Sequence, residues 1–375
     1  MAPAQQLDKN ELQSLLQGCF GITAGDRTLT FLVDLPDASL PDNSDWQFRR
    51  NLAQHWAELL RSEPAFFERV QLYSFPHAAS NNADLPDHIF RNSLTGRQQN
   101  TPELLREVLA GSDIVIALTE LSATAPLKML ARELNFRGAS MPAFNEKMLA
   151  ALRLDYNEVH TRVMELKKRL DRAVTATFLF QAEKRNVQLQ ADIRFRTAHA
   201  SSGLMREPGM VGNLPSGEAY IVPYEGEQQG VASRTHGLLP VQYGDEVVFY
   251  VVKQNHAVDV LGESHLAVEK RRGLLEEPAR GNIAELGFGV LAPFGVTAVG
   301  SVLLDEKLAP HIAFGRSEHF GGVTSPASFS NPDNVIHIDH VYLPSLQPAI
   351  SIDEIMLEYP DGSQEIIFAS GDYTL

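Results

Sequence analysis

Four short stretches in the second half of the chain collect the residue types that hold metal ions. They are Asn213-Leu-Pro-Ser-Gly-Glu218, Asn282-Ile-Ala-Glu285-Leu-Gly-Phe-Gly289, Asp305-Glu-Lys-Leu-Ala-Pro-His311-Ile-Ala-Phe-Gly315 and His337-Ile-Asp339. In the first, a Pro-containing turn delivers Glu218 to the start of a strand. In the second, Glu285 is a carboxylate set among apolar and Gly residues. The last is an apolar strand, and a side-chain period of two puts His337 and Asp339 on one face, with Ile338 and His340 on the other. An imidazole and a carboxylate side by side on a rigid strand can hold one ion, or the carboxylate can orient a ligating His. Each residue also has an ordinary structural role open to it. Glu218 suits a turn or cap, Glu285 a salt bridge, His311 a satisfied core histidine, and Gly287–Gly289 reads as turn chemistry. Taken together, two Glu, two His and one Asp are the ligand set of a dinuclear hydrolytic site.

The elements that must position these residues change character along the chain. In the first half, apolar strand runs (Thr28–Asp34, Val70–Phe75, Ser112–Thr119) alternate with helix-periodic stretches. Those stretches are Ser44–Ser62, Pro102–Ala110 opened by Thr101 as N-cap, and Lys128–Leu134. Such alternation predicts an α/β domain with a mostly parallel, helix-covered sheet over residues 1–173. The charged helical stretch Leu152–Ala173 closes that half. Beyond it, short strands such as Thr175–Phe180, Val247–Val252 and Val335–Asp339 are separated by Gly, Pro and Asn. Pro360-Asp361-Gly362 marks a terminal hairpin. Residues 174–375 therefore read as a β-rich (α+β) domain. No GxGxxG and no GxxxxGK[ST] occurs, so nothing marks a nucleotide site.

The 375 residues carry 32 basic and 47 acidic side chains, a net charge of −15. That field repels phosphate backbones and anionic membranes, which argues against nucleic-acid and membrane partners. A single cysteine, Cys19, excludes a disulfide framework and a Cys-rich zinc knuckle. No apolar run reaches the roughly 18 residues of a membrane span. The start, MAPAQQLDKNELQSLL, reads as a short amphipathic helix rather than a signal peptide. A cytoplasmic protein is the expectation.

The four motifs, in this order and at these separations, resemble those of the aminopeptidase T and aminopeptidase S family of metallo-aminopeptidases. The family's Asn-x-Pro-x-Gly-Glu matches Asn213 to Glu218, and its Gly-Glu or Ala-Glu strand motif matches Glu285. Its Asp-Glu…His-Ile-Ala-Leu-Gly matches Asp305, Glu306 and His311 to Gly315, and its His-x-Asp matches His337 and Asp339. Segments around Arg132 and Met141-Pro142 carry the same flavour, which extends the resemblance over most of the chain. It implies an α/β domain followed by a β-rich catalytic domain with two divalent ions (zinc, cobalt or manganese). Glu218, Glu285, His311, His337 and Asp339 would be the ligands, a peptide or small amide the substrate, and a homodimer the assembly.

The resemblance breaks at one place. The family has a Tyr seven residues beyond the motif-three His, whereas this chain has Glu318, followed by His319. Direct count favours Glu318 for that position in the cleft, as an added ligand or a general acid; in a loop, His319 could enter instead. A second reading is a mononuclear non-haem iron oxygenase, with His311, His337 and Asp339 as a facial triad. The same superfamily resembles dihydroxypyridine ring-cleaving dioxygenases, which have His at the position of Glu285 and lack the His at 311. A third is a non-catalytic, metal-binding descendant.

Overall fold

The computed structural model describes residues 6–92 and 101–375. By internal contacts the chain forms two units, Met1–His160 with Gly203–Ser216, and Thr161–Ser202 with Gly217–Leu375. The division falls inside the helix Tyr156–Leu170, shortly before residue 173, where the texture of the sequence changes.

In the first unit, the strands Val211–Asn213, Arg137–Ser140, Ile114–Leu118, Thr28–Leu35 and Arg69–Pro76 pair in parallel, in that order. His88–Arg91 and Glu103–Leu104 add antiparallel strands at one edge. Thr28–Leu35 is buried at every position, as a strand covered on both faces must be. The covering helix Ser44–Arg61 is capped by Asn43, whose side chain accepts from the Trp46 N–H, and it buries Trp46, Leu52, Trp56 and Leu60. One expected helix starts later than its sequence suggests. Residues 103 and 104 pair with Ile89 and His88, so strand pairing takes their backbone and the helix runs only Leu105–Ala110. The Thr101 cap is therefore not formed. Another, Thr124–Leu134, starts four residues before Lys128.

The second unit is built from two antiparallel sheets, one of eight strands and one of five. The hairpin expected around Pro360–Gly362 forms between Ile350–Glu358 and Gln364–Ala369, with Gly362 in the left-handed region at φ +81. The sheets meet through aromatic side chains. Phe178 and Phe288 have ring centroids 6.0 Å apart, and Phe180 and Tyr342 5.0 Å. An α/β unit is thus joined to a β-rich one, as the sequence predicts. Among the described residues, no helix is long and apolar enough to cross a membrane.

Candidate metal centre

The five-stranded sheet runs in the order His337–Val341, Pro310–Gly315, Ile283–Gly289, Glu218–Ile221, His199–Ser201. Its register arranges one face residue by residue. Glu285 lies opposite Ala313, which lies opposite Asp339; His311 lies opposite Gly287, which lies opposite Tyr220; Glu218 lies opposite Gly289. Polar side chains thus stand beside residues with little or no side chain, and the face is hollowed where they converge. Gly287 and Gly289 belong to a strand rather than a turn. A Cβ on Gly287 would stand 1.9 Å from His311 Nε2, so the imidazole occupies the space that a side chain there would fill. A Cβ on Gly289 would meet the Glu306 carbonyl oxygen at 2.4 Å, so this glycine lets the Glu306–Leu308 backbone close over the strand.

The face brings Glu218, Glu285, His311, His337 and Asp339 together as two groups that share Glu285. Ligand atoms of Glu218, Glu285 and His311 lie within 4.8 Å of one another, as do those of Glu285, His337 and Asp339. The two oxygens of Glu285 face different imidazoles: Oε1 is 3.6 Å from His311 Nε2 and Oε2 is 3.3 Å from His337 Nε2. His311 Nε2 is 3.4 Å from Glu218 Oε2, and His337 Nε2 is 3.5 Å from Asp339 Oδ1. Neither group unites His311 with both His337 and Asp339, so the facial triad considered from sequence is not assembled as a compact set.

The donor set fits a cation. Glu218 Oε2, His311 Nε2 and Asp339 Oδ1 are buried and have no hydrogen-bond partner among the described residues. Leaving such atoms unsatisfied costs about 1–3 kcal/mol each, more for charged groups. His311 is fully buried, yet it is not a satisfied core histidine; its other nitrogen, Nδ1, lies 3.3 Å from the Ala309 carbonyl oxygen. His337 is oriented by Nδ1, 2.8 Å from the Arg316 carbonyl oxygen, which leaves Nε2 toward the carboxylates.

Electrostatics point the same way. Burial by itself would favour neutral imidazoles, but Glu285 and Glu218 hold His311 up at about 9. Asp339 and Glu285 hold His337 well above its ordinary value against the same penalty. Burial likewise disfavours the charged form of Glu285, and the nearby His311 and His337 imidazoles outweigh it, holding this carboxyl low. Burial pushes Glu218 up to about 8 despite Lys307 and His311. The cluster draws positive charge from whatever is at hand.

Lys307 was not singled out in the sequence. It is buried, and its Nζ donates to Glu218 Oε1 at 2.5 Å and to Glu306 Oε1. One oxygen of Glu218 is thereby engaged while the other faces His311. A lysine lodged between Glu306 and the apolar Leu308-Ala309-Pro310 is the sequence signal for such burial.

Glu318 and His319 lie in a 3-10 turn, Glu318–Phe320, rather than a strand. Glu318 accepts from Arg316, with Nε 2.6 Å away; burial opposes its ionisation, but this guanidinium holds the carboxyl low. His319 packs toward the cluster, its ring centroid 5.3 Å from that of His337 and 3.9 Å from that of Phe320. Burial, then the charge of His337, press His319 down to about 4, so it is neutral at physiological pH. Phe320 in turn packs edge-on against Tyr220, and Tyr220 stacks on His199. Glu225, also missed in the sequence, anchors the turn. Its carboxylate accepts from Ser317, Thr324, the Val323 N–H and Asn282.

No family model and no curated protein matches the chain. Among the solved structures that resemble it are two that do so along nearly its whole length. AmpT from Thermus thermophilus, an aminopeptidase T, superposes with a TM-score of 0.55 at 14% identity, covering 98% of this chain and 100% of its own. The 2,5-dihydroxypyridine dioxygenase from Pseudomonas putida KT2440 superposes with a TM-score of 0.60 at 13% identity, covering 98% of each chain. At these identities the likeness is one of fold, and this chain shares that fold with an aminopeptidase and with a dioxygenase.

Proposed function

We propose that the protein is a metal-dependent hydrolase, an aminopeptidase acting on peptides or small amides through two divalent ions that share Glu285. The observation that carries this reading is the placement of the two Glu285 oxygens against two different histidines, each in its own ligand group. Glu218 and His311 would complete the holding of one ion, and His337 and Asp339 that of the other. Two ions so held would supply a hydroxide from bound water near neutral pH and polarise a scissile carbonyl.

The remaining work falls to this chain's own groups. Lys307 fixes which oxygen of Glu218 faces His311, and the Arg316 carbonyl fixes the tautomer of His337. His319, kept neutral beside His337, can accept a proton at the edge of the cluster. Phe320 and Tyr220 form an apolar wall there that restricts water.

A second reading, one iron held by Glu285, His337 and Asp339 for ring cleavage, draws support from Lys307. Its ammonium already places a positive charge against Glu218, where the other ion would sit. Aminoacyl-anilide hydrolysis separates the two. The proposal expects turnover by the zinc-, cobalt- or manganese-loaded protein and its loss in Glu285→Gln. Oxygen consumption with an aromatic diol, and no amide hydrolysis, would replace it by the second reading.

A further inference from the structure

A cavity of about 400 Å³ lies behind the strands that carry the candidate ligands. Strand alternation separates the two. His337 and Asp339 belong to the metal groups, whereas Ile338 and His340 line the cavity. Phe314, opposite Ile338 on the neighbouring strand, lines it too, and His311 on that same strand belongs to the other face. Tyr243 and Tyr250 from the eight-stranded sheet and the helix His265–Glu276 complete the enclosure.

Its inner wall is aromatic and its rim is charged. Tyr250 and Phe314 have centroids 5.0 Å apart, while His340 stands edge-on to Phe314 at 5.6 Å and to Tyr243 at 5.8 Å. Ile338 remains 46% exposed, so this strand leaves apolar surface open to a ligand. At the rim, Lys270, Arg272 and Arg280 face Glu269 and Glu276, a cationic excess in a chain whose net charge is −15. Arg272 lies 3.7 Å from Glu276, with both side chains 70% exposed, so water screens that pair. Among the described residues Arg280 donates to neutral oxygens, the Asn334 carbonyl at 3.1 Å and Asn334 Oδ1 at 3.0 Å, and it also acts on the Glu277 carboxylate through its charge. Lys270 Nζ sits 4.6 Å above the Tyr243 ring and 3.4 Å from Glu269. The volume falls in the range of small-molecule sites, about 300–1,000 Å³, which pair apolar walls with a few polar groups.

We propose that this cavity binds a flat, apolar carboxylate, its ring against Phe314, Ile338 and Tyr250 and its anion at Lys270 and Arg280. It is a site apart from the metal groups and does not depend on which reaction they perform.

Gly273 offers a direct test. It lines the cavity from the helix, and a Cβ there meets nothing within 4 Å. Gly273→Phe therefore meets no clash at its Cβ and adds a ring at the cavity wall, and it replaces a poor helix former by a better one. The measurement is calorimetric titration of the full chain with 2-naphthoate, and with 2-naphthylmethylammonium as its cationic counterpart. The wild type should bind the carboxylate and not the ammonium. Both Gly273→Phe and the charge reversal Lys270→Glu should weaken that binding by about tenfold or more. The second variant alters a partly exposed side chain and keeps the test open if the first fails to fold. Absence of naphthoate binding by the wild type, equal binding by both folded variants, or preference for the ammonium would overturn the proposal.

Discussion

Replacing Gly287 by Ala adds one methyl group and should remove a metal ligand. The added Cβ would stand 1.9 Å from His311 Nε2 and 2.1 Å from Cε1, whereas ordinary contact begins at 3.4 Å. The imidazole must then withdraw by about 1.5 Å, far beyond the roughly 0.2 Å by which a metal–ligand distance can depart from its proper value. The neighbours leave little room for a compensating shift, because His311 is fully buried and Ala313 on its strand is buried too. Disturbing even an outer partner of a ligand typically costs 10–100-fold in metal affinity, so displacing the ligand itself should cost about 100-fold or more. The affected ion should be the one between Glu218, Glu285 and His311, leaving Glu285, His337 and Asp339 to hold the other. Isothermal titration of metal-stripped protein resolves this as loss of one of two binding steps. Gly273→Ala, whose Cβ meets nothing within 4 Å, serves as the matched control. Unchanged binding of both ions by a folded Gly287→Ala protein would refute the assignment of His311.

Other perturbations test neighbouring parts of the account. His337→Ala and Asp339→Ala should each remove the other ion, read as metal content after gel filtration. Glu225→Ala should lower stability by about 3 kcal/mol or more, seen as a fall in the denaturation midpoint. It strips the acceptor shared by Ser317, Thr324, Val323 and Asn282, and unsatisfied buried donors cost about 1–3 kcal/mol each. In metal-stripped protein, stability should fall as pH rises from about 6.5 to about 9. His311, held up at about 9, keeps a proton in the folded state that the unfolded chain releases nearer 6.5. The stabilisation is complete below the lower value and lost above the higher one. Bound metal should flatten this slope, because it replaces the proton on His311. A thermal midpoint that rises over this window in the stripped protein would contradict the sign.

The candidate site was legible in the sequence because its residues sit on strands, where a period of two fixes the face. His337 and Asp339 could be assigned to one side from spacing, and a turn containing Pro215 delivered Glu218 to a strand start, as the structure has it. Gly287 misled as turn chemistry because its role lies in a cross-strand partner, His311, that no local pattern names. Lys307 was passed over because burial of an ammonium depends on two carboxylates, one of them 89 residues away. Glu318 was placed by counting, but a 3-10 turn does not follow strand alternation, and Arg316 engages its carboxylate. In the first unit, apolar-rich runs marked three of the five parallel strands, Thr28–Leu35, Arg69–Pro76 and Ile114–Leu118, and gave no sign of Arg137–Ser140 or Val211–Asn213. The return of 203–216 to that unit was invisible, since it rests on Val211–Asn213 pairing with Arg137–Ser140 across the chain.

The central claim is that this fold holds two divalent ions on a shared Glu285. Metal analysis of protein purified without added metal, followed by titration of the stripped chain, tests it most directly. Two zinc, cobalt or manganese ions per chain are expected at saturation, falling to at most one in Gly287→Ala. A single iron per chain, or no retained metal and no saturable binding, would contradict it.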